Sequence, residues 1–320
     1  MNARRTYLVV ALAAVGTAAL VVGLVAFTRT SPRAAAETNT STSGRAPALV
    51  LDLGLRTDPE ARALRRANRL YSAGSRRAAG RIFARYASVE AQVGAAVSAW
   101  PDGTLARLGE LAAAHPSSGV VLLHLGLAKV ASGDGNAAEA AWRRVLARDP
   151  DSEAAVQAES LLHPRFAPGK PPFVPSFGVP AQVTRLSPAR QVAALQRAAR
   201  GRDVKAKLLY GAALQRLGRP VSAERQFATA ASLAPADPEA QTAAAVGLFS
   251  KAKPELAFSR LGPLAPRFPR SQSVRFHLGE LLLWIGQLDK ARQELQLARR
   301  EGPSTPLGRT AAEFLARLPR

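Results

Sequence analysis

The fold is decided by residues 203–303, in which one pattern recurs every 34 residues. The chain reads DVKAKLLYGAALQRLGRPVSAERQFATAASLAPA from residue 203, DPEAQTAAAVGLFSKAKPELAFSRLGPLAPRFPR from 237 and SQSVRFHLGELLLWIGQLDKARQELQLARREGP from 271. Each copy has a small residue, a leucine, an alanine, a large apolar residue and a proline at fixed places. These are Gly211, Ala245 and Gly279; Leu214, Leu248 and Leu282; Ala223, Ala257 and Ala291; Phe227, Leu261 and Leu295; and Pro235, Pro269 and Pro303. Small residues let two helices cross closely, and proline ends the second helix, so the pattern predicts stacked helical hairpins.

A 34-residue period with these residues resembles the tetratricopeptide repeat (TPR) family. The resemblance implies an all-α fold, a right-handed solenoid of helical hairpins whose first (A) helices line a concave groove. We expect the solenoid to span residues 58–318. Its clearest repeats are residues 119–152, 204–237, 238–271 and 272–305, and a helix over 306–318 caps the end with a polar side. Residues 59–87 and 89–115 are predicted to form two less regular hairpins.

A proline-rich stretch, residues 163–187, interrupts the repeats between two predicted helices, Ser152–Leu162 and Pro188–Arg200. Ala189 lies one period before Ala223 and one period plus 17 residues after Ala138. This register favours one continuous solenoid with an insertion of about 17 residues in one turn. The alternative is two repeat domains joined by a stiff proline linker.

The amino-terminal region predicts attachment to a membrane. After a short basic stretch (residues 1–5), residues 6–28 carry no charge. As a helix they would reach about 34 Å, enough to cross a bilayer, which favours an uncleaved signal anchor over a cleaved signal peptide. Arg4 and Arg5 favour a single-pass protein of the cell membrane with its repeats outside the cytoplasm. Residues 29–57 are predicted to be a flexible linker, of which the more apolar residues 47–55 dock on the first helix.

The chain is strongly basic, with 44 Lys and Arg against 23 Asp and Glu. Arginines concentrate in the first hairpin, nearest the predicted anchor. They are Arg62, Arg65, Arg66, Arg69, Arg76, Arg77, Arg81 and Arg85. Anionic lipid headgroups attract such a cluster, although a solvated helix face would look the same. Nucleic acid is a weaker candidate partner, because no nucleic-acid-binding motif accompanies the charge.

No catalytic, cofactor-binding or metal-binding constellation is evident in the sequence. There is no cysteine, and the chain has only four histidines. His124 and His277 hold the same place in their repeats, which indicates inheritance of a repeat position and not a ligand set. We therefore expect no enzyme activity, no cofactor and no metal.

Carrying the TPR groove positions over to this chain gives a largely apolar set. They are Val120, Leu123, Leu127, Val130, Lys205, Leu208, Gln215, Val246, Phe249, Phe276, Glu280, Leu283 and Trp284. The Lys and Asn pattern by which some TPR proteins clamp a carboxyl terminus is missing. An apolar groove needs an occupant. One candidate occupant is an apolar or amphipathic segment of another protein. The other is the insertion itself, through its apolar residues Phe166, Pro172, Phe173, Val174, Phe177 and Val179. A third possibility is that the insertion only covers the edge of a hairpin.

These features together predict a membrane-anchored, non-catalytic scaffold that mediates protein–protein interactions in an envelope complex. Two alternatives stay open at this point. One is a basic solenoid that binds nucleic acid or another polyanion in the cytoplasm, and the other is a non-catalytic subunit or assembly factor of a membrane enzyme.

Overall fold

The computed structural model describes residues 46–319, which form helices and connecting segments without any strand. Contacts divide the chain into two compact units, and the boundary between them along the sequence lies between Leu162 and His163. The predicted anchor over residues 6–28 and most of the linker lie outside the described residues. Within residues 46–319, no helix is both long enough and apolar enough to cross a membrane.

The first unit is a row of helical hairpins preceded by an extended segment. Consecutive helices pack side by side, and α1, α3, α5 and α7 follow one another as the first helices of their pairs. The helices are α1 (Pro59–Ser72), α2 (Arg76–Phe83), α3 (Val89–Ser98), α4 (Thr104–Ala114), α5 (Gly119–Ala131), α6 (Gly135–Arg148) and α7 (Glu153–Leu162).

The second unit has the same construction and ends on the capping helix. After the extended proline-rich stretch, α10, α12 and α15 are neighbouring A helices. The helices are α8 (Ala181–Thr184), α9 (Pro188–Ala198), α10 (Val204–Arg216), α11 (Pro220–Leu233), α12 (Pro238–Gly247), α13 (Glu255–Leu261), α14 (Leu264–Arg267), α15 (Gln272–Trp284), α16 (Leu288–Glu301) and α17 (Pro306–Arg317).

The repeating residues pack as the period predicts. A Cβ added to Gly211 would lie 2.4 Å from the Phe227 ring, so only glycine lets α10 and α11 approach this closely. Gly126 faces Trp142 in the same way, at 2.3 Å. The repeated alanines are all buried, at Ala79, Ala138, Ala223, Ala257 and Ala291. The predicted TPR-like, all-α hairpin fold is therefore confirmed for both units.

Two places depart from the regular pattern. In the copy that begins at Pro238, the second helix is split into α13 and α14, because Pro263 has no amide N–H to continue the helix. Ala189, the predicted equivalent of Ala223, is exposed, and α9 buries Gln191 and Leu195 instead. The prediction of one continuous solenoid through the insertion stays a prediction.

Candidate functional site

In the second unit, the A helices are covered by an extended segment of the insertion. We call residues 167–177 the second strap, because a first strap, residues 46–54, precedes it in the chain and is described below. Its main chain is held by side chains of three successive A helices. The Phe173 N–H donates to Gln215 Oε1 (2.9 Å) on α10, and the Val174 N–H donates to His277 Nε2 (2.9 Å) on α15. Ser176 donates from its backbone N–H and its hydroxyl to Glu239 on α12.

Phe173 is the main apolar contact of the second strap, and it is 1% exposed. Its ring stacks on the His277 imidazole with centroids 5.0 Å apart. It also meets the Phe227 ring edge-on at 5.3 Å. Leu208 and Val246, two predicted groove residues, belong to the same buried cluster. The strap therefore inserts a large side chain between helices, besides lying on their surface.

The protonation state of His277 follows from its two partners. An amide N–H can only donate, so Nε2 must accept, and the proton sits on Nδ1, which donates to the Ser273 carbonyl (2.8 Å). Burial without a compensating charge lowers the pKa of His277 to about 4. The ring is thus neutral at physiological pH and fixed in one tautomer.

The amino-terminal end of the second strap lies against Trp284. The fully buried Lys251 donates from Nζ to the Ala167 carbonyl (2.6 Å), and its Nζ lies 5.7 Å from the centre of the Trp284 ring. Phe249 meets that ring edge-on at 6.0 Å. A Cβ on Gly169 would come within 3.9 Å of Trp284, so the strap runs directly beside the indole.

Two buried polar groups at this end lack hydrogen-bond partners among the described residues. One group is the carboxyl of Glu280, both of whose oxygens lack a partner, and the other is the indole Nε1 of Trp284. Glu280 is fully buried, one helical turn from both Phe276 and Trp284 on α15. Burial raises the pKa of Glu280 well above its usual range and so favours the neutral, protonated carboxyl.

The first unit has an equivalent cover, residues 46–54, which we call the first strap. Its Val50 N–H donates to His124 Nε2 (3.0 Å), and His124 Nδ1 donates to the Val120 carbonyl (2.6 Å). Burial lowers the pKa of His124 to about 4 as well. Leu49 is buried on this side of the unit, and the Tyr71 hydroxyl donates to the Pro47 carbonyl. Both units therefore hold an extended segment through a buried, neutral histidine.

The structure brings most of the predicted groove residues to the straps. Lys205 lies 5.4 Å from the Phe177 ring centre, and Phe177 and Val179 pack on a small cluster around Leu195. Phe276 and Leu283 are fully buried in the core beside Trp284. In the first unit, Val120, Leu123, Leu127 and Val130 belong to one core cluster with Leu49 and Val50.

Sequence reasoning anticipated the insertion as an occupant. It also expected residues 47–55 to dock on the first helix, and Tyr71 and Arg65 of α1 do contact Pro47 and Gly54. It did not foresee the bond of Val50 to His124. For the histidines, sequence reasoning found the shared repeat position but not the contact that each ring makes. Their shared place in the repeat does reflect inheritance, but it carries a shared contact to an extended main chain. The signal that could have found it was the equivalence of His124 and His277 itself.

The basic cluster is divided by its contacts. Arg65 donates to the Gly54 and Arg56 carbonyls, and Arg76 donates to the Trp100 carbonyl, so both have structural roles. The remaining members are exposed on α1 and α2 or just beyond, at Arg62, Arg66, Arg69, Arg77, Arg81 and Arg85. Within residues 46–319, no group of His, Cys, Asp and Glu could hold a metal ion.

Comparison with known proteins gives fold likeness only. No family model matches the chain, and no curated protein matches it. Among solved structures it is similar to yeast Tom70, with 14% identity and a TM-score of 0.35 over 87% of this chain and 53% of that one. It is also similar to a tetratricopeptide repeat protein of Parabacteroides merdae, with 13% identity and a TM-score of 0.34 over 81% and 98% of the two chains.

A third similar structure is the TPR2AB domain of yeast Sti1 in its complex with pHSP90, with 12% identity and a TM-score of 0.30 over 81% and 98% of the chains. This chain spans about half of Tom70. TM-scores this low decide nothing about partners, and the repeat architecture rests on the packing described above.

Proposed function

We propose that this chain is a non-catalytic scaffold that binds extended segments of other proteins. The observation that carries the proposal is that both units already hold an extended, apolar segment through main-chain hydrogen bonds. Main-chain bonds combined with pockets for single side chains are a general way to recognise extended peptides. Neither strap contributes a group with evident chemical reactivity, which favours binding over catalysis.

We further propose that the scaffold is anchored in the cell membrane through residues 6–28, with its repeats outside the cytoplasm, where it organises an envelope complex. The uncharged length of this segment and Arg4 and Arg5 before it support the proposal. The exposed arginines of α1 and α2 would then face anionic lipid headgroups.

The binding proposal is tested by photo-crosslinking in cells. A photoreactive amino acid is placed at Lys205, beside the second strap, and in a matched variant at Arg225, an exposed position of α11. Defined protein adducts from position 205 but not from 225 are expected for a scaffold that binds at its straps. The absence of protein adducts from both positions and from a third at Leu127 would contradict the proposal.

The lipid contact is tested with vesicles of phosphatidylcholine alone and with added phosphatidylglycerol. Residues 46–320 should bind only the anionic vesicles, and binding should weaken with rising salt. Replacing Arg66, Arg69, Arg77 and Arg81 with Gln should reduce binding by at least tenfold, since each basic residue near the surface contributes about 1 kcal/mol. Salt-independent binding, or none, would reject the electrostatic contact.

A further inference from the structure

The two straps share a short sequence pattern when they are aligned on the amide that bonds to histidine. The first strap reads Pro-Ala-Leu-Val over residues 47–50, and the second reads Pro-Pro-Phe-Val over residues 171–174. Both have proline three places before the bonded amide, a large buried apolar residue one place before it, and valine at the amide itself. The straps stand at different points of the chain, one before its repeats and one between two helices.

The surfaces that receive the straps are also alike. His124 and His277 are each the sixth residue of an A helix, α5 and α15. Each is fully buried, bonds through Nδ1 to the carbonyl four residues earlier, and presents Nε2 to the strap valine. Each unit therefore holds one segment of the form Pro-x-(Leu/Phe)-Val in extended conformation, where x stands for Ala48 or Pro172.

The second strap does not satisfy the surface it covers. Glu280 and the Trp284 indole N–H have no hydrogen-bond partner there. The residues at the place of Glu280 in α5, α10 and α12 are apolar, namely Leu127, Ala212 and Val246. Glu280 places a buried carboxyl where other A helices have an aliphatic side chain. This difference indicates that a ligand at this end of the site carries a polar group, which the second strap lacks.

The position of that missing group can be read from the strap. Gly169, five residues before Val174, is the strap residue beside Trp284, and it has no side chain. Its φ is +88°, a conformation that asparagine adopts more readily than most residues. A Cβ there would lie 3.9 Å from Cη2 of the Trp284 ring, and the oxygen and nitrogen of a carboxamide match in chemical type the donor Nε1 of Trp284 and the acceptor carboxyl of Glu280.

We propose that the second strap is a resident copy of a ligand, and that a partner protein displaces it with an extended Asn-x-Pro-x-(Leu/Phe)-Val segment. This inference rests on the proposed scaffold function and names the class of segment that is bound. The partner segment would make the same bonds to Gln215 and His277 and would add bonds to Glu280 and Trp284. The straps would then keep the apolar surfaces covered until that segment arrives.

The test uses fluorescent peptides and the full chain. The first peptide has the strap sequence APGKPPFVPSF, the second has Asn at the place of Gly169, and a control has Pro at the place of Val174, which removes the bonded N–H. They are titrated into the wild-type chain and into a chain whose strap is weakened by Phe173→Ala and Val174→Pro. Fluorescence polarisation reports binding, and circular dichroism checks that the helices persist.

The weakened chain should bind the strap peptide at least tenfold more tightly than the wild-type chain, which must first release its own strap. The Asn peptide should bind at least tenfold more tightly than the strap peptide, and this difference should vanish when Glu280→Leu is added. The control peptide should not bind. If the double substitution unfolds the protein, Phe173→Ala alone replaces it, with the same expected order of peptides.

Three results would overturn the inference. The first is a folded, weakened chain that binds none of the peptides, which would make the strap a permanent cover. The second is dimerisation of that chain without peptide binding, which would make a second copy the occupant. The third is equal binding of all three peptides. If the peptide titrations fail in one of these ways while position 205 still forms protein crosslinks in cells, this class of ligand is refuted. The proposed scaffold function would then be retained.

Discussion

The two straps show how one mode of binding can serve different purposes. Both are extended, both insert an apolar side chain, and both donate a valine amide to a buried histidine. The surface beneath the first strap is aliphatic, with Leu127 at the place where the second has Glu280. The second strap leaves the Glu280 carboxyl and the Trp284 N–H without hydrogen bonds. The difference locates the site of ligand exchange in the second unit.

The largest effect should come from removing the apolar anchor of a strap. Phe173→Ala should lower the free energy of unfolding by about 3–5 kcal/mol, because a buried phenylalanine leaves a large cavity. Leu49→Ala in the first strap should cost about 2–3 kcal/mol, since leucine is smaller and Leu49 keeps 8% exposure. Urea unfolding measures both. Leu105→Ala, at an exposed site of α4, is the matched control and should change stability by less than about 0.5 kcal/mol.

Equal losses of unfolding free energy in the Phe173→Ala and Leu49→Ala variants would contradict the expected difference between the straps. A loss below about 1 kcal/mol at Phe173 would mean that its ring contacts are not present in solution.

Acid should weaken both straps to a similar extent. The folded pKa of each buried histidine is lowered to about 4 from 6.5, so the unfolded chain takes up the proton first as pH falls. The stability that each neutral ring provides is therefore complete above pH 6.5 and is lost between pH 6.5 and 4. The loss is about 3 kcal/mol for each histidine.

Urea unfolding at pH 7.5 and at pH 4.5 tests this expectation, with His277→Gln and His124→Gln as variants. Each should remove its own share of the pH dependence of the free energy of unfolding. An unaltered pH profile in the His277 variant would show that this ring does not titrate as its burial requires.

Glu280 should produce an effect that has no counterpart at Leu127, the equivalent residue of α5. Glu280→Leu restores the residue type found at Leu127 and should raise the free energy of unfolding by about 1–3 kcal/mol, because it removes a buried polar group without partners. The folded pKa of Glu280 lies above the unfolded value, so its neutral form is favoured at low pH and loses stability as pH rises. The gain should thus be larger at pH 8 than at pH 5.

Differential scanning calorimetry at the two pH values measures that gain. Leu127→Glu is the reciprocal variant and should be destabilising in the first unit. If Glu280→Leu destabilises instead, the carboxyl has a bonding partner in solution, and the second strap is a complete ligand after all.

Sequence alone predicted the helices and named the insertion as one candidate occupant of the groove, but it did not predict the contacts of the straps, for a physical reason. The hairpins follow from short-range rules that repeat, such as Gly211 facing Phe227 within one unit. A strap has no period, and side chains of distant helices hold its main chain. Its place depends on partners far away in the chain, as with Val174 and His277, which are 103 residues apart. The unpaired carboxyl of Glu280 could not be predicted from the sequence either, because its burial is evident only when the strap is in position.

The smallest effect should separate the carboxyl-terminal ends of the two straps. The first strap ends where Arg65 donates to the Gly54 carbonyl (3.0 Å) and the Arg56 carbonyl (2.6 Å). Arg65→Ala should cost about 1 kcal/mol, because these bonds are partly exposed to water. Arg66→Ala, at the exposed neighbouring position, should change stability by less than about 0.5 kcal/mol.

At the corresponding end of the second strap, Ser176→Ala removes the hydroxyl bond to Glu239 and keeps the backbone one, so it should cost no more than about 1 kcal/mol. Hydrogen exchange of the strap valines distinguishes the two ends better than global stability does. Arg65→Ala should speed exchange at Val50 only, and Ser176→Ala at Val174 only. Faster exchange at Val174 than at Val50 in the wild-type chain is expected if the second strap is the one that opens, and the reverse order would assign ligand exchange to the first.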